Sequence, residues 1–554
     1  MSPWSLWRRH LLALRPDFWQ AVLISMLINT LMVLPSLYML QVYDRVMVSQ
    51  NGLTLVALTL VLTLGLLAAA WLEQGRTAVL VRMGQRMDGL LAARVHEAAL
   101  QRELYQPSNS PQQALLDLNA LRQFVTGQGL FVLFDLPWFP IYLAIMFLLH
   151  PLLGWIGLAF SGVLVLIALA SHRSSRAVVE GATQAARQAQ QDQLAQLRNA
   201  EAIHAMGMLG ALRQRWQQRH HSYGAAQQAS ESLTARYSSI SKQARHVQQA
   251  LSLGAGAWLV LEGQISPGAM IAANILMTKA LQPLDLLVSS WSALLSARIA
   301  VQRLSEVLEQ APADHAQEIR TPAAASVSWQ GATVCAPASG QTILHDINLQ
   351  LPAGRLIGLV GPSGSGKSTL ARVMLGLWPR QACQGRIEID GLSVFDWDRQ
   401  SLGPALGYLP QEPALLEGTL AQNIARFGRA DPQAVVEAAQ RVGIHELILA
   451  LPQGYDTPAG EAGQLLSGGQ RQLIALAQAM YGSPRLVVLD EPNSNLDEHG
   501  ERCLVQALKS LREQGSSVLL ITHRPEILQA LDACWQLDGG RLSQPDADRA
   551  AAAV

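Results

Sequence analysis

The sequence predicts a multidomain protein in which an all-α membrane domain of six helices precedes an α/β domain. Three observations support this prediction. Half of the 554 residues are hydrophobic and only 15% are charged, whereas soluble domains average about 25% charged residues. The long apolar segments all lie before residue 300. After residue 325, short β-type runs alternate with helical patterns, which is typical of an α/β domain.

Charge and cysteine content narrow the possible classes of partner and site. The formal net charge is zero, so no overall basic field attracts nucleic acid, and charge recognition has to be local. None of the cysteines has the paired spacing of a zinc site, and reduced thiols are expected because the second domain is predicted to be cytosolic. The cysteines are Cys335, Cys383, Cys503 and Cys534.

Six segments have or nearly have the apolar length that a membrane span requires, which is about 20 residues for a hydrocarbon core of about 30 Å. The first is too long for the apolar part of a signal peptide, and we interpret it as an uncleaved span. Glycine and proline interrupt the last two. The predicted spans are residues 20–43, 53–72, 129–149, 151–171, 247–263 and 268–291.

The connections between the spans predict their orientation. Within each pair the connection is short, at 44–52, 150–151 and 264–267. The stretches between pairs, 73–128 and 172–246, are long, polar and rich in helix-forming residues, so we expect helices that continue into water. Because basic loops stay in the cytoplasm, both termini and both long stretches are predicted to be cytoplasmic. The basic residues concerned include Arg76, Arg82, Arg86, Arg94, Arg173, Arg176, Arg213 and Arg215.

Three ionisable residues within or beside the spans need a separate explanation. They are Asp135, Lys279 and Asp285. Most arginines of the long stretches are explained as solvated helix faces, but ionisable groups at membrane depth face a cavity or pair with one another. Two interpretations remain open for these three: they line a path through the domain, or they lie near the membrane surface.

A change of composition predicts the domain boundary. Residues 309–325 are rich in Ala, Pro, Glu and Gln, which favours a linker. The sequence therefore predicts a membrane domain at 1–308, an α/β domain at 326–546 and a short tail at 547–554.

A glycine-rich motif follows the β-type run RLIGLV and fits the P-loop pattern at every fixed position. Its glycines allow backbone N–H groups to point at phosphate, and the helix that follows directs its positive end there. In such a loop Lys367 reaches the β- and γ-phosphates, and the Ser368 hydroxyl is available to Mg²⁺. The motif consists of Gly361, Pro362, Ser363, Gly364, Ser365, Gly366, Lys367, Ser368 and Thr369.

A second motif ends the apolar run LVVL with two carboxylates, Asp490 and Glu491. Asp490 suits Mg²⁺, directly or through water, and Glu491 suits a base that polarises the water attacking the γ-phosphate. Taken alone, this pattern is also compatible with a strand that merely ends in acidic residues.

A second glycine-rich helix start lies between these motifs. It follows Leu466 and opens the helical run RQLIALAQAM, so it can also bind phosphate. Two phosphate-binding helix starts in one chain are unusual for a monomer. The segment consists of Ser467, Gly468, Gly469 and Gln470.

The order of the P-loop, the LSGGQ segment and the paired carboxylates resembles the ABC-type ATPases. The resemblance implies a head-to-tail dimer in which each ATP lies between the P-loop of one subunit and the LSGGQ of the other. It further implies that Gln411 contacts Mg²⁺ and the membrane domain, that Asp497 contacts the other subunit, and that His523 holds the γ-phosphate. Because Glu491 and LSGGQ are both intact, we expect a homodimer with two competent sites.

One position departs from the pattern of that family. Its members usually carry an aromatic residue upstream of the P-loop that stacks on adenine, whereas this chain has Ala336 there. Trp329 is nearby but out of register. We therefore expect weaker adenine stacking and some tolerance of GTP.

The membrane half resembles the inner-membrane ATPase of type I protein secretion systems, in the branch that exports metalloproteases and lipases. The similarity covers residues 18–545 and is carried by LYMLQVYDRVMVSQN, LRQFVTGQGLFVLFDLPWFPIYLAIMFLLHPLLG, RNAEAIHAMGML and GAMIAANILMTKALQPL. It implies a Gram-negative inner-membrane homodimer that uses ATP and Mg²⁺. It also implies a membrane-fusion adaptor, an outer-membrane channel, and unfolded substrates with a C-terminal signal.

Two other functions remain open at this point. An exporter of a small molecule, lipid or peptide would have the same architecture. A sensor or scaffold that uses ATP binding as a switch would not need Glu491 and His523, so their presence argues against it.

Overall fold

The computed structural model describes residues 12–105, 113–310, 321–337 and 339–543. The chain forms two compact units, one helical and N-terminal, the other α/β and C-terminal. Most of the predicted linker and the whole predicted tail at 547–554 lie outside the described residues.

The N-terminal unit is built from α-helices, with a π-helical segment at Val42–Val46. The helices are α1 Arg15–Leu31, α2 Leu34–Gln41, α3 Met47–Ser49, α4 Gly52–Tyr105, α5 Gln113–Thr126, α6 Gln128–Asp135, α7 Phe139–Leu149, α8 Pro151–Arg198, α9 Ala200–Ala205, α10 Leu209–Leu261, α11 Pro267–Ser289 and α12 Trp291–Gln310.

Five helical stretches of the described residues are long and apolar enough to cross a membrane. They contain the predicted spans one to four and all but the end of the sixth: Arg15–Ser49, Gly52–Tyr105, Gln113–Leu149, Pro151–Arg198 and Pro267–Val288. The predicted fifth span, 247–263, lies at the end of α10, which is not among the five. Its buried face there carries Gln248 and Ser252, and such side chains lower the apolarity of a helix even when they face protein. The fifth span therefore stays a prediction.

Two helices run without interruption from a predicted span into a long polar stretch. Helix α4 has 54 residues and α8 has 48, which at a rise of about 1.5 Å per residue makes them about 80 and 70 Å long. Neither contains a proline after its first turn, so the backbone hydrogen-bond ladder is not broken. A rigid helix of this length can carry movement well beyond a hydrocarbon core.

Two of the three ionisable residues singled out in the sequence pair across helices. Asp135 accepts hydrogen bonds from Asn29 Nδ2 at 2.8 Å and from Arg76 Nη1 at 3.3 Å. Asp285 accepts from Arg245 Nη1 at 2.9 Å and from Ser241. Both carboxylates thus have a cationic partner, as a charge inside a helical bundle requires.

Lys279 is different from the two aspartates. Its Nζ lies 3.5 Å from Gln282 Oε1, one turn along the same helix, in an exposed environment. Among the described residues no hydrogen bond joins Lys279 to a second helix, so neither interpretation of Lys279 gains support.

The C-terminal unit contains two sheets and a group of helices. The strands are β1 Val327–Cys335, β2 Thr342–Leu351, β3 Leu356–Val360, β4 Cys383–Ile389, β5 Leu392–Ser393, β6 Leu406–Leu409, β7 Leu486–Asp490, β8 Ser517–Ile521, β9 Ala533–Asp538 and β10 Arg541–Ser543. The helices are α13 Lys367–Met374, α14 Arg399–Leu402, α15 Leu420–Ile424, α16 Pro432–Val442, α17 His445–Leu449, α18 Gly468–Met480, α19 Glu498–Glu513 and α20 Pro525–Leu528.

The larger sheet positions the predicted site. Its strand order is β10-β9-β3-β8-β7-β6, with β10 antiparallel and the other strands parallel. Every residue of β3, β7 and β8 is buried, because a parallel strand in the middle of such a sheet is covered on both faces. The smaller sheet is antiparallel, in the order β2-β1-β4-β5. The predicted α/β architecture of this domain is confirmed.

Candidate nucleotide-binding site

The predicted site residues follow the carboxyl ends of neighbouring parallel strands. The P-loop follows β3, Asp490 ends β7, His523 comes two residues after β8, and Gln411 comes two residues after β6. In a parallel sheet these ends meet at one edge, which is where α/β proteins bind their ligands. Four motifs that are far apart in sequence therefore converge.

The backbone of the P-loop depends on its glycines. Gly361, Gly364 and Gly366 have φ values of 153°, 82° and 103°, a region that residues with a side chain rarely adopt. A Cβ at Gly361 would also collide with the carbonyl oxygen of Leu537. Helix α13 starts at Lys367 directly after the loop, so its free N–H groups face a phosphate placed there.

Lys367 lies inside the loop rather than in solvent. Its side chain is 7% exposed, and Nζ donates to the carbonyl oxygens of Gly361 at 2.7 Å and Pro362 at 3.0 Å. Burial lowers the pKa of this ammonium group, and the nearby charges of Glu491 and Asp490 oppose that shift. The ammonium is therefore held at the position where the phosphates would arrive.

Asp490 has the properties expected of a magnesium ligand. It is 3% exposed, and its Oδ1 has no hydrogen-bond partner among the described residues. Burial raises the pKa of this carboxyl, although a hydrogen bond from Ser368 partly opposes the shift. An unpartnered carboxylate oxygen beside a hydroxyl group fits Mg²⁺, which takes few protein ligands and completes its shell with phosphate and water.

Glu491 is held between two other predicted catalytic residues. Gln411 Nε2 donates to Glu491 Oε2 at 3.1 Å, and His523 Nε2 lies 4.0 Å from Glu491 Oε1. The backbone of Glu491 has a φ of 49°, a strained conformation that is often found at functional sites. The hydrogen bond from Glu491 N to Ile521 O, at 3.0 Å, maintains it. The structure thus brings the predicted glutamine, glutamate and histidine together.

Several residues that the sequence motifs did not indicate fix this arrangement. Thr522 Oγ1 donates to Asn493 Oδ1 at 3.0 Å and accepts from Arg524 N at 3.2 Å, which ties the loop after β8 to the loop after β7. Gln472 Nε2 donates to Pro492 O at 3.1 Å, which ties α18 to the same loop. The sequence indicates Gln472 only as a polar residue among the apolar residues of α18. No spacing rule pairs Asn493 with Thr522.

The LSGGQ segment is organised as a capped helix start. Gln470 N donates to Ser467 Oγ at 3.2 Å and Ser467 N donates to Gln470 Oε1 at 3.0 Å, which is a capping box for α18. Asp497 caps α19, since its Oδ1 accepts from Gly500 N at 2.8 Å. No hydrogen bond among the described residues joins LSGGQ to the P-loop of the same chain.

Comparison with known proteins shows the family to which the chain belongs. The model of the ABC transporter transmembrane region matches residues 18–284, and the ABC transporter model matches residues 344–494. The type I secretion system ATP-binding protein PrsD of Rhizobium meliloti (strain 1021) is 40% identical over 521 residues, which cover 94% of this chain and 89% of PrsD. The chain belongs to the type I secretion ATP-binding proteins, a family of ABC transporters.

More distant relatives agree with this assignment. The leukotoxin translocation protein LktB of Mannheimia haemolytica is 27% identical, and the leukotoxin export protein LtxB of Aggregatibacter actinomycetemcomitans is 28% identical. Each match covers 95% of this chain and 75% of the relative. A solved structure of a bacterial Atm1-family ABC exporter with ATP bound superposes with a TM-score of 0.85 and 24% identity, covering 96% of this chain and 95% of that one. This last similarity shows the fold.

Several predictions are confirmed by these findings. The fold class is that of an ABC exporter, with a helical membrane domain and an α/β ATPase domain. The chain binds ATP, couples ATP hydrolysis to protein export, and is a multi-pass protein of the inner membrane. The interpretation as a protein exporter is favoured over the small-molecule alternative.

The weaker adenine stacking and the tolerance of GTP that we expect from Ala336 remain predictions. Ala336 lies at the base of a tight turn in which its N donates to Gln341 O at 2.8 Å. Trp378 Nε1 donates to the neighbouring Cys335 O at 3.0 Å. Trp329 is 1% exposed in the core, so it cannot stack on a nucleotide. Trp378 is the aromatic residue that the structure brings beside this turn.

Proposed function

We propose that this chain is the energy-converting component of a type I secretion system and exports unfolded proteins that carry a C-terminal signal. The observation that carries the proposal is the contact of Glu491 with Gln411 and its proximity to His523 at the edge that holds the P-loop. Such an arrangement supports ATP hydrolysis. The similarity to PrsD supports protein as the cargo.

The geometry of these residues and the family resemblance support a role for each in binding and hydrolysing ATP. The P-loop amides and Lys367 bind the phosphates of ATP. Glu491 orients and polarises the attacking water, and His523 holds the γ-phosphate. Ser368, Gln411 and Asp490 would hold Mg²⁺, which neutralises charge on the phosphates. Gly361, Pro362, Ser363, Gly364, Ser365, Gly366 and Thr369 complete the nucleotide cradle.

The second half of each site is proposed to come from another copy of the chain. Ser467, Gly468, Gly469 and Gln470 would close over the nucleotide bound to that copy, with Asp497 at the same interface. The capped start of α18 supports this, because a fixed helix N-terminus is suited to phosphate. A homodimer would then hold two equivalent sites.

The proposal includes an orientation and a set of partners. The basic residues of the long stretches support a cytoplasmic ATPase domain and cytoplasmic termini. We also propose the domain limits predicted from the sequence. They are 1–308 for the membrane domain, 309–325 for the linker, 326–546 for the ATPase domain and 547–554 for the tail. A membrane-fusion adaptor and an outer-membrane channel would continue the path to the outside. The similarity to PrsD, a type I secretion system ATP-binding protein, supports such partners.

The test is an ATPase assay of the full-length protein reconstituted in lipid. The probe is a peptide with the C-terminal segment of a protein encoded beside the gene, and the matched control is the N-terminal segment of the same protein. We expect the C-terminal segment alone to change ATP turnover. A response to a small amphiphile but to no C-terminal segment would instead indicate an exporter of small molecules.

A further inference from the structure

A carboxylate at one end of the helical unit joins two helices that are far apart in sequence. Asp44 lies in the π-helical segment Val42–Val46, a geometry that is frequent at functional sites. Its Oδ1 accepts a hydrogen bond from Gly268 N at 2.9 Å, and its Oδ2 accepts one from the Ser266 hydroxyl. The chain between them is more than 200 residues long, so this contact is purely tertiary.

This carboxylate completes the N-terminus of α11. The first helical residue, Pro267, has no N–H. The next amide, of Gly268, donates to Asp44, and the amide of Ala269 donates to Ser266 Oγ at 3.1 Å. Asp44 therefore serves as an anion at the positive end of a helix, where charge and hydrogen bonding favour it together. Among the described residues, no arginine or lysine side chain forms an ion pair with it.

Glycine at position 268 is a steric requirement of the contact. A Cβ there would lie 2.6 Å from Asp44 Oδ1 and 2.7 Å from the carbonyl oxygen of Leu40. Real Cβ atoms do not come so close to a backbone oxygen. The first helical stretch and α11 therefore approach backbone to backbone at this point, and any larger residue would force them apart.

The second short connection, at 150–151, is tied to the same turn. His150 Nδ1 accepts from Leu152 N at 3.1 Å, so the proton of the neutral ring lies on Nε2, which is 3.0 Å from Gln264 Oε1. Gln264 Nε2 in turn donates to Glu262 Oε2 at 2.8 Å. Turn 262–266 thus contacts both other short connections, and all three predicted hairpin turns are linked at one end of the unit.

We propose that Asp44 and Gly268 form a latch that positions the start of α11 against the first helical stretch and opens during the transport cycle. The latch consists of the Asp44 carboxylate and its two donors, the Ser266 hydroxyl and the Gly268 amide. It requires glycine at position 268 because there is no room for a Cβ there. Helices α2 and α11 can separate at this end only when these hydrogen bonds break. The opening of the latch during a transport cycle rests on the proposed function, whereas the contacts that form the latch do not.

The distance across the latch can be measured in the reconstituted full-length protein, between the end of the first helical stretch and the end of α10, which turn 262–266 connects to α11. Spin labels are placed on Val48→Cys and Leu261→Cys, where the native side chains are 80% and 87% exposed, after the four native cysteines are replaced by serine. Pulsed electron spin resonance then gives the distance distribution without nucleotide and after trapping with ATP, Mg²⁺ and vanadate. We expect a short distance without nucleotide and an added longer distance in the trapped state.

Gly268→Ala is the decisive variant, and Gly254→Ala is its matched control. A Cβ at Gly254 has nothing within 4 Å, so this variant should reproduce the parent distances. Gly268→Ala should show the longer distance already without nucleotide, with its population raised about fivefold, as loss of one charge-assisted helix contact implies. Equal distributions for the two alanine variants in both states would overturn the proposal.

A second pair of variants covers the case in which Gly268→Ala does not fold. Asp44→Asn retains an acceptor for the Gly268 amide but loses the charge, and Asp44→Ala loses both. We expect a graded increase of the longer distance, larger for Asp44→Ala, together with a rise in basal ATP turnover. Distances that do not respond to either change would refute the latch. Because no cargo enters these measurements, the result is independent of the test of secretion.

Discussion

Among single residues, Glu491 has the surroundings that most strongly support a catalytic role. Its carboxylate accepts from Gln411 and lies near His523, while its backbone is kept at a positive φ. A glutamate that served only to end a strand would need none of these contacts. The alternative that the sequence left open for the two carboxylates therefore has no structural support at this residue.

Replacing Glu491 by glutamine should nearly abolish ATP turnover. The amide cannot accept a proton from water, and general bases contribute about 10²–10⁴-fold to rates, so we expect at least about a 100-fold loss. Nucleotide binding should persist, since the P-loop is unchanged. The control is Glu498→Gln, at a side chain that is 90% exposed. Unaltered hydrolysis in Glu491→Gln would remove this residue from the role of base.

Asp490 should make stability depend on pH. Burial raises the pKa of its carboxyl above the value in the unfolded chain, so its stabilising contribution is present at low pH and is lost as the pH rises through the raised pKa. Without nucleotide and metal, Asp490→Asn should therefore raise Tm near neutral pH and bring little gain near pH 4. Differential scanning fluorimetry measures this, with the exposed Asp538→Asn as control. A gain that is independent of pH would contradict the argument.

Ala336 should reduce discrimination between purine bases. Without an aromatic ring at this position, we expect GTP turnover within about tenfold of ATP turnover, because an aromatic contact is worth about 0.5–1.5 kcal/mol. Ala336→Tyr should lower the KM for ATP severalfold and leave kcat nearly unchanged. Steady-state kinetics with both nucleotides tests this. A difference of orders of magnitude between ATP and GTP in the parent protein would show that another contact reads the base.

At the scale of helices, the ion pair of Arg76 with Asp135 joins the second helical span to the third. Arg76 also donates to Ser25 Oγ at 3.3 Å and lies over the ring of Phe131 at 4.4 Å. Asn29 connects the same carboxylate to Tyr142, whose hydroxyl donates to Asn29 O at 2.8 Å. The network therefore includes residues from α1, α4, α6 and α7, and it explains Asp135 as a structural partner.

Removing one member of this ion pair should cost more than removing both. Arg76→Leu leaves the Asp135 carboxylate without its cation, which destabilises a buried pair by up to about 3 kcal/mol. The double variant Arg76→Leu/Asp135→Leu should recover part of that loss. Thermal unfolding in lipid nanodiscs gives the comparison, with the exposed Arg82→Leu on the same helix as control. Equal Tm values for the single and double variants would show that the two charges do not interact.

For the whole molecule, the main question is whether each ATP site is shared between two chains. Lys367→Ala damages the P-loop and Ser467→Arg damages the LSGGQ segment, so each variant alone should be inactive. In a mixed dimer with shared sites, the intact P-loop of one chain meets the intact LSGGQ of the other. We therefore expect ATP turnover to reappear when both are coexpressed and purified together through two tags. Continued inactivity of the mixed dimer would indicate sites contained within single chains.

The sequence alone determined the features that depend on neighbouring residues. A P-loop, the glycine-rich helix start of LSGGQ and an apolar span are each encoded in one short segment, because backbone geometry and apolar length are local properties. The order of these segments was then enough to indicate an ABC transporter. The fifth predicted span shows the limit, since Gln248 and Ser252 are buried against protein and their burial cannot be read from composition.

Only the tertiary structure decided which distant residues touch. Nothing in the spacing pairs Thr522 with Asn493, Arg76 with Asp135, or Asp44 with Gly268, since each partner is chosen by the packing of whole strands and helices. The same holds for the contact of Gln411 with Glu491, which depends on β6 and β7 being neighbours in the sheet. Local motifs indicate the chemistry because few types of residue can perform it. Packing assigns the partners because many arrangements of the same residues are possible along a chain.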